Sequence, residues 1–185
     1  MRAYLAGPDI FLPDAAQWAE RKKQVCARYG LTGVSPIDGV PLEPPEWTVL
    51  PEWRRIGLRN EALIRSCDLM IANLTPFRGP SADVGTVYEV GFIRALGRPV
   101  FGYTTTAAGF TQRTLDFAGV HGGVTAEPWR DVNGMLIEEF GRFDNLMIET
   151  GILASGGVLV TEEIPAESRW IDLSVFERCV RAAAS

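Results

Sequence analysis

The segment Leu69–Leu74 limits most what this chain can fold into: a short, almost wholly apolar run, Leu-Met-Ile-Ala-Asn-Leu, ended by Thr75-Pro76. An apolar run without alternation reads as a strand covered on both faces, the pattern of a parallel sheet between layers of helices. Pro76, Gly79, Pro80 and Ser81 then form a loop, and Ser81 or Asp83 is placed to cap a helix over about Val84–Leu96. That helix is apolar nearly all round, through Val84, Val87, Tyr88, Val90, Phe92, Ile93, Ala95 and Leu96, which predicts that it is buried. Glu89, in its second turn, breaks the pattern. An unpartnered buried carboxylate is costly, so Glu89 pairs with an arginine, faces a wet subunit interface, or does chemistry.

The same alternation recurs along the chain. Ala3–Ala6 reads as a strand ended by Gly7-Pro8-Asp9, and Asp14–Tyr29 as a helix stopped by Gly30. Leu31–Ser35 is a second strand, cut by Pro36-Ile37-Asp38-Gly39. Trp53–Ser66 is a helix with Ile56, Leu63 and Ile64 on its core edge, and Arg98–Tyr103 is a fourth strand. The order βαβαβαβ, with connections long enough for crossovers, predicts a doubly wound parallel sheet. Further on, Thr111–Phe117 reads as a short helix, Gly119–Gly123 as loose, and Asp144–Ala154 as a helix capped by Asp144. Gly157–Thr161 reads as a fifth strand and Ile171–Ala184 as a closing amphipathic helix. The stretch with Pro41, Pro44, Pro45 and Pro51 carries Trp47 and Trp53, as either a lid over a ligand or a packed surface loop. With 185 residues and neither repeat nor linker, residues 1–185 read as a single domain.

Composition removes several function classes. Net charge is −5 and no basic run occurs, which argues against sequence-independent binding to nucleic acid. Cys26, Cys67 and Cys179 are widely spaced in apolar surroundings and read as reduced core thiols. His121 is the single histidine, and without CxxC or HxxxH pairs no metal site is expected. The apolar residues after Arg2 are too few for a signal peptide, and no run is long enough to span a membrane. A cytoplasmic protein is the expectation.

In an open parallel sheet, ligands bind beyond the carboxyl ends of the strands. Three loops lie there, Gly7–Phe11, Pro36–Gly39 and Asn73–Asp83, and they bring Asp9, Asp38, Asn73 and Asp83 to one rim with Glu89 below. Such a rim repels phosphate and suits a neutral, hydroxyl-rich ligand, or a reaction in which positive charge develops. Gly7-Pro8-Asp9 matches neither GxGxxG nor a Walker loop. A reactive glutamate supported by carboxylates and amides points to attack on a sugar anomeric carbon, whose oxocarbenium-like transition state a carboxylate stabilises and can trap. The helix N-terminus and a tyrosine hydroxyl would help keep that carboxylate ionised. Tyr4, on the strand beside Leu69–Leu74, is the candidate donor, against the alternative of a core tyrosine with a satisfied hydroxyl.

Tyr4-Leu5-Ala6-Gly7-Pro8, Asp83-Val84-Gly85-Thr86-Val87-Tyr88-Glu89-Val90-Gly91 and Asp144-Asn145-Leu146-Met147 together resemble the nucleoside 2-deoxyribosyltransferases. The spacing is closest to the branch found in kinetoplastid parasites and various bacteria, and the similarity covers most of residues 1–150. The resemblance implies a flavodoxin-like fold, a five-stranded parallel sheet in the order 2-1-3-4-5. It also implies ping-pong transfer of 2-deoxyribose between nucleobases, with nucleoside hydrolysis as a side reaction and no cofactor. Glu89 matches the nucleophile, Tyr4 the tyrosine that orients it, and Asp83 the aspartate that binds the sugar hydroxyls. Gly7, Asp9, Phe11, Asp38 and Asn60 would contact substrate. Asn145 matches an asparagine that reaches the neighbouring subunit's site, so a homodimer or a larger homo-oligomer built from dimers is implied. The partners implied are 2′-deoxynucleosides and free nucleobases.

One departure concerns Asn60, which stands where the lactic-acid-bacterial members carry an aspartate that protonates the departing base. Either Asn60 only hydrogen-bonds the base, or the acid is Asp83, Asp38, or Glu89 before attack. Asp68, at the far end of its strand, reads as structural. The tail after about Ala154 and the insert around Trp47 match the family poorly. Two rival readings remain. One is an N-glycoside hydrolase of nucleoside 5′-monophosphates with Ser81 and Arg78 as phosphate ligands, although Asp144-Asn145 stands where such relatives carry serine. The other is a non-catalytic nucleotide-binding flavodoxin-like module in which Glu89 is structural.

Overall fold

In the computed structural model, which describes residues 1–40, 43–119 and 128–185, the run beginning at Leu69 is the middle strand of a five-stranded sheet. The elements are β1 (Arg2–Ala6), α1 (Ala15–Arg28), β2 (Thr32–Val34), α2 (Glu52–Arg65), β3 (Leu69–Asn73), α3 (Val84–Ala95) and β4 (Val100–Thr104). They continue as α4 (Phe110–Phe117), α5 (Leu146–Ala154), β5 (Leu159–Thr161) and α6 (Ser174–Ala183). All strand pairs are parallel, in the order β2-β1-β3-β4-β5. This is the flavodoxin-like order expected, and its switch point lies at β1 and β3. Every residue of β3 is buried.

The two-residue period of the strands sorts their side chains into two cores. Tyr4, Ala6, Met70 and Ala72 face Leu63 and Ile64 of α2, Val90 and Ile93 of α3, and Ile148 and Ile152 of α5. Ala3, Leu5, Leu69 and Ile71 face Val25 and Cys26 of α1 and Val175, Phe176, Cys179 and Val180 of α6. Tyr4 therefore points to the α2–α3 side. At the amino end of the strands, the Asp68 carboxylate accepts the Arg2 N–H at 2.7 Å, a structural role as expected. Cys26, Cys67 and Cys179 are free and buried, and burial pushes the Cys26 thiol up to about 11.

Two expectations are corrected. The α3 helix is not buried all round: Val84 is 85% exposed and Tyr88 59%. Its core contact is confined to one face; on the other, Tyr88 donates its hydroxyl to Glu61 of α2 at 2.6 Å and Val84 stands open. With Met147 of α5, also exposed, Val84 borders a groove of about 390 Å³ lined by Ala82, Val87, Ile148 and Gly151. The second correction is the cap of α5, which is Asn145 rather than Asp144: its Oδ1 accepts the Met147 N–H at 3.0 Å. Asp144 is turned toward the loop before α3 instead, which uses both of its oxygens.

Pro45–Trp47 forms a 3-10 turn, and Glu43 pairs with Arg59 to tie the proline-rich stretch to α2. Pro41, His121 and the loose segment read from Gly119 onward lie wholly or mostly outside the described residues. Among the described residues no helix is long and apolar enough to cross a membrane.

Candidate active site

Glu89 lies beneath the switch point. It is 9% exposed, and its Oε1 accepts the Tyr4 hydroxyl at 2.7 Å and, more weakly, the Asn60 amide at 3.5 Å. Each partner comes from a different element, β1 and α2, so the geometry exists only in the folded chain. Among the described residues no basic side chain pairs with Glu89. Among the described residues nothing donates a hydrogen bond to Oε2. One oxygen is held and, among the described residues, the other is not.

Burial dominates the titration of this carboxyl. It pushes Glu89 up from the usual 4.5 to about 7, against the Tyr4 hydrogen bond, which lowers it, and with the Asp83 charge, which raises it further. The helix terminus contributes less than its sequence position promised. Its free N–H groups serve Asp83, whose Oδ2 caps α3 by accepting the Thr86 N–H at 2.9 Å and the Thr86 hydroxyl at 3.0 Å. Glu89, a turn further in, lies beyond the reach of most of that partial charge. Tyr4 is fully buried, and burial followed by the Glu89 charge pushes its hydroxyl well above the usual tyrosine range, so it stays a proton donor.

The expected acidic rim is less acidic than the sequence implies. Asp9 pairs with Lys22 at 2.6 Å and accepts the Asn73 amide at 3.1 and 3.2 Å, while Lys22 also donates to the Tyr103 hydroxyl at 2.8 Å. Asp38 pairs with Lys23 and accepts the Ser35 N–H at 2.8 Å, closing its own turn. Both aspartates thus shape the loops that carry them, and among the described residues Asp83 and Glu89 have no cationic partner. Lys22 was missed because a lysine in a mixed helix reads as surface. Its helical face is shared with Ala19, Val25 and Cys26, which is the signal that it points inward.

Gly7 is required by geometry: its φ is 151°, and a Cβ there would meet the Asn73 Cβ and the Asp9 Oδ2 at 2.6 Å. Gly7→Ala is therefore expected to destabilise the fold by about 1–3 kcal/mol in denaturant unfolding, because strained backbone and overpacking combine. Unchanged stability would contradict that close approach.

Phe11 stacks on Phe77 with ring centres 5.4 Å apart, Trp170 meets Phe77 edge-on at 6.1 Å, and the Arg78 guanidinium lies over both phenylalanine rings. Asn145 lines the groove between α3 and α5, whereas Glu89 faces β1 and α2. Its amide is held by Glu138 at 2.7 Å. The structure thus gathers Tyr4, Asn60, Asp83 and Glu89, sets Gly7, Asp9 and Phe11 in the adjoining loop, and places Asn145 elsewhere on the surface. Among the described residues no cluster could hold a metal ion.

These features define a flavodoxin-like α/β protein with one half-satisfied carboxylate beneath its switch point. Residues 3–147 match the family model described as nucleoside 2-deoxyribosyltransferase. An uncharacterized protein of Schizosaccharomyces pombe is 30% identical over 173 residues, 86% of this chain and 80% of its own length. The solved 2-desoxiribosyltransferase from Leishmania mexicana superposes with a TM-score of 0.58 at 26% identity, covering 80% of this chain and 84% of that one. A conserved protein from Enterococcus faecalis shares the fold, with a TM-score of 0.51 and 19% identity over 92% of this chain and 96% of its own. The chain belongs to the nucleoside 2-deoxyribosyltransferase family.

Proposed function

We propose that this protein transfers 2-deoxyribose between nucleobases through a covalent intermediate on Glu89. The observation that carries the reading is the buried carboxyl with Oε1 held by Tyr4 and, among the described residues, no donor on Oε2. In the first half-reaction Oε2 bonds to C1′ as the C1′–N bond breaks; the bonding pair leaves on the base nitrogen, which takes up a proton from solvent water. In the second, a nitrogen of the incoming base attacks C1′, loses its proton and restores the carboxylate. Water in place of the base gives hydrolysis. Tyr4 fixes the carboxylate's orientation, and Asp83, whose Oδ1 is not used in capping α3, accepts the sugar hydroxyls. Asn60 is an amide directed at Glu89 and only hydrogen-bonds. The apolar groove beside Val84 and Met147 supports a homodimer in which Asn145 serves the neighbour's site.

A nucleoside 5′-monophosphate substrate is less well supported, since Ser81 donates its hydroxyl to Asp144 rather than offering it to a phosphate. The test is incubation of a 2′-deoxynucleoside with a second nucleobase, together with trapping by a 2-fluoro-2-deoxynucleoside and peptide mass spectrometry. A new deoxynucleoside and an adduct on Glu89 are expected. Turnover of 5′-monophosphates alone, or an adduct on another residue, would overturn the reading.

A further inference from the structure

Away from Glu89, the most heavily bonded charged pair among the described residues is Arg113 with Asp144. Both side chains are nearly inaccessible, at 11% and 4% exposure, and they approach to 3.7 Å. The Arg113 guanidinium donates to the main-chain carbonyls of Pro80, Ala108 and Phe143, the first at 2.8 Å. The Asp144 carboxylate accepts the Ser81 hydroxyl, the Ala82 N–H at 2.8 Å and the Asn145 N–H at 2.8 Å. Two segments far apart in sequence are thereby fastened to each other: the loop that ends in Asp83, and the turn that presents Asn145.

A buried ion pair is a poor way to gain stability, because desolvating the charges offsets their attraction and an apolar pair of similar volume often does as well. What the pair supplies is fixed geometry. We propose that Asp144, backed by Arg113, is a positioning residue for the sugar, holding Asp83 for its own site and Asn145 for the neighbour's. This rests on the sugar-binding roles given above to Asp83 and Asn145. Asp144 touches no substrate; it acts through the two residues on either side of the joint. One carboxylate thus bears on two active sites, in its own chain and in the adjacent one.

The test begins with Asp144→Asn, which keeps the shape, removes the charge that faces Arg113, and turns a donor toward one of the N–H or hydroxyl groups. KM for the 2′-deoxynucleoside should rise about tenfold while kcat changes less than about threefold, the pattern of lost uniform binding. Ser81→Ala removes one donor from the same carboxylate and should give a smaller rise of the same kind, even if Asp144→Asn folds poorly. In mixed oligomers, Asp144→Asn placed on a subunit that also carries Glu89→Ala should still raise the KM of its partner's intact site. A local structural defect would not do this. Unchanged KM in both folded variants, a fall in kcat alone, or no effect across subunits would overturn the proposal. Absence of transfer by the wild-type protein would instead overturn the deoxyribosyl reading on which it stands.

Discussion

Glu89→Gln is expected to lower deoxyribosyl transfer by at least about a thousandfold, since it removes the group proposed to bond C1′. The same substitution should leave the fold intact and make it more stable above neutral pH. In the unfolded chain this carboxyl titrates near 4.5, but in the folded protein near 7, raised first by burial. Between those values the folded state binds more protons than the unfolded one, so stability falls as pH rises through that window. Above pH 7 the loss is complete and amounts to roughly 3 kcal/mol. Glutamine is neutral, nearly isosteric, and can still accept the Tyr4 hydroxyl, so it escapes this loss. Unfolding free energies of the two proteins should nearly coincide around pH 4 and differ by up to about 3 kcal/mol at pH 8. Transfer by Glu89→Gln above about one hundredth of wild type would remove Glu89 from the mechanism. Equal stability at pH 8 would mean that the carboxyl is not strained by burial.

The same carboxyl shows where reading a sequence succeeds and where it stops. Leu69–Leu74 was legible because a strand buried on both faces tolerates almost no polar side chain, and Glu89 because it interrupts an apolar helix. Tyr4 was a candidate from topology, because β1 lies beside β3, and the hydrogen bond to Glu89 shows the contact. The fate of Asp9 and Asp38 was not legible. Each is matched by a lysine from α1, and only the docking angle of that helix decides whether Lys22 and Lys23 meet the rim or face water. The cap of α5 was ambiguous for a different reason: Asp144 and Asn145 are adjacent and both are good caps. The choice depended on Arg113 and the Ser81 loop drawing Asp144 away. The exposure of Val84 and Tyr88 could not be read either, because helix composition does not say how many neighbours will cover it. That stripe is what the oligomer reading uses, so the misread burial and the proposed interface have one cause.

Tyr4→Phe is expected to move the pH dependence of transfer, because the Tyr4 hydroxyl is the contact that holds Glu89 down against burial. With the ionised carboxylate as the attacking form, kcat/KM of the wild type should rise with pH and level off above about 7. Removing the hydroxyl deletes a hydrogen bond to the charged form, a contact of about 1.5–3 kcal/mol in a buried setting. That corresponds to moving the rising limb upward by about one to two pH units. The loss relative to wild type should therefore be largest near pH 6 and shrink as pH rises about a unit or more past the shifted limb, where both carboxyls are ionised. Whatever loss persists at high pH measures orientation alone, because the charge is then the same in both proteins. Tyr4 cannot itself account for the limb, since its hydroxyl stays protonated throughout this range. A limb that does not move would show that Tyr4 is a core tyrosine with a satisfied hydroxyl. A wild-type profile that falls through pH 7 would make the protonated carboxyl the working form, with Glu89 first giving its proton to the departing base and only then bonding the sugar.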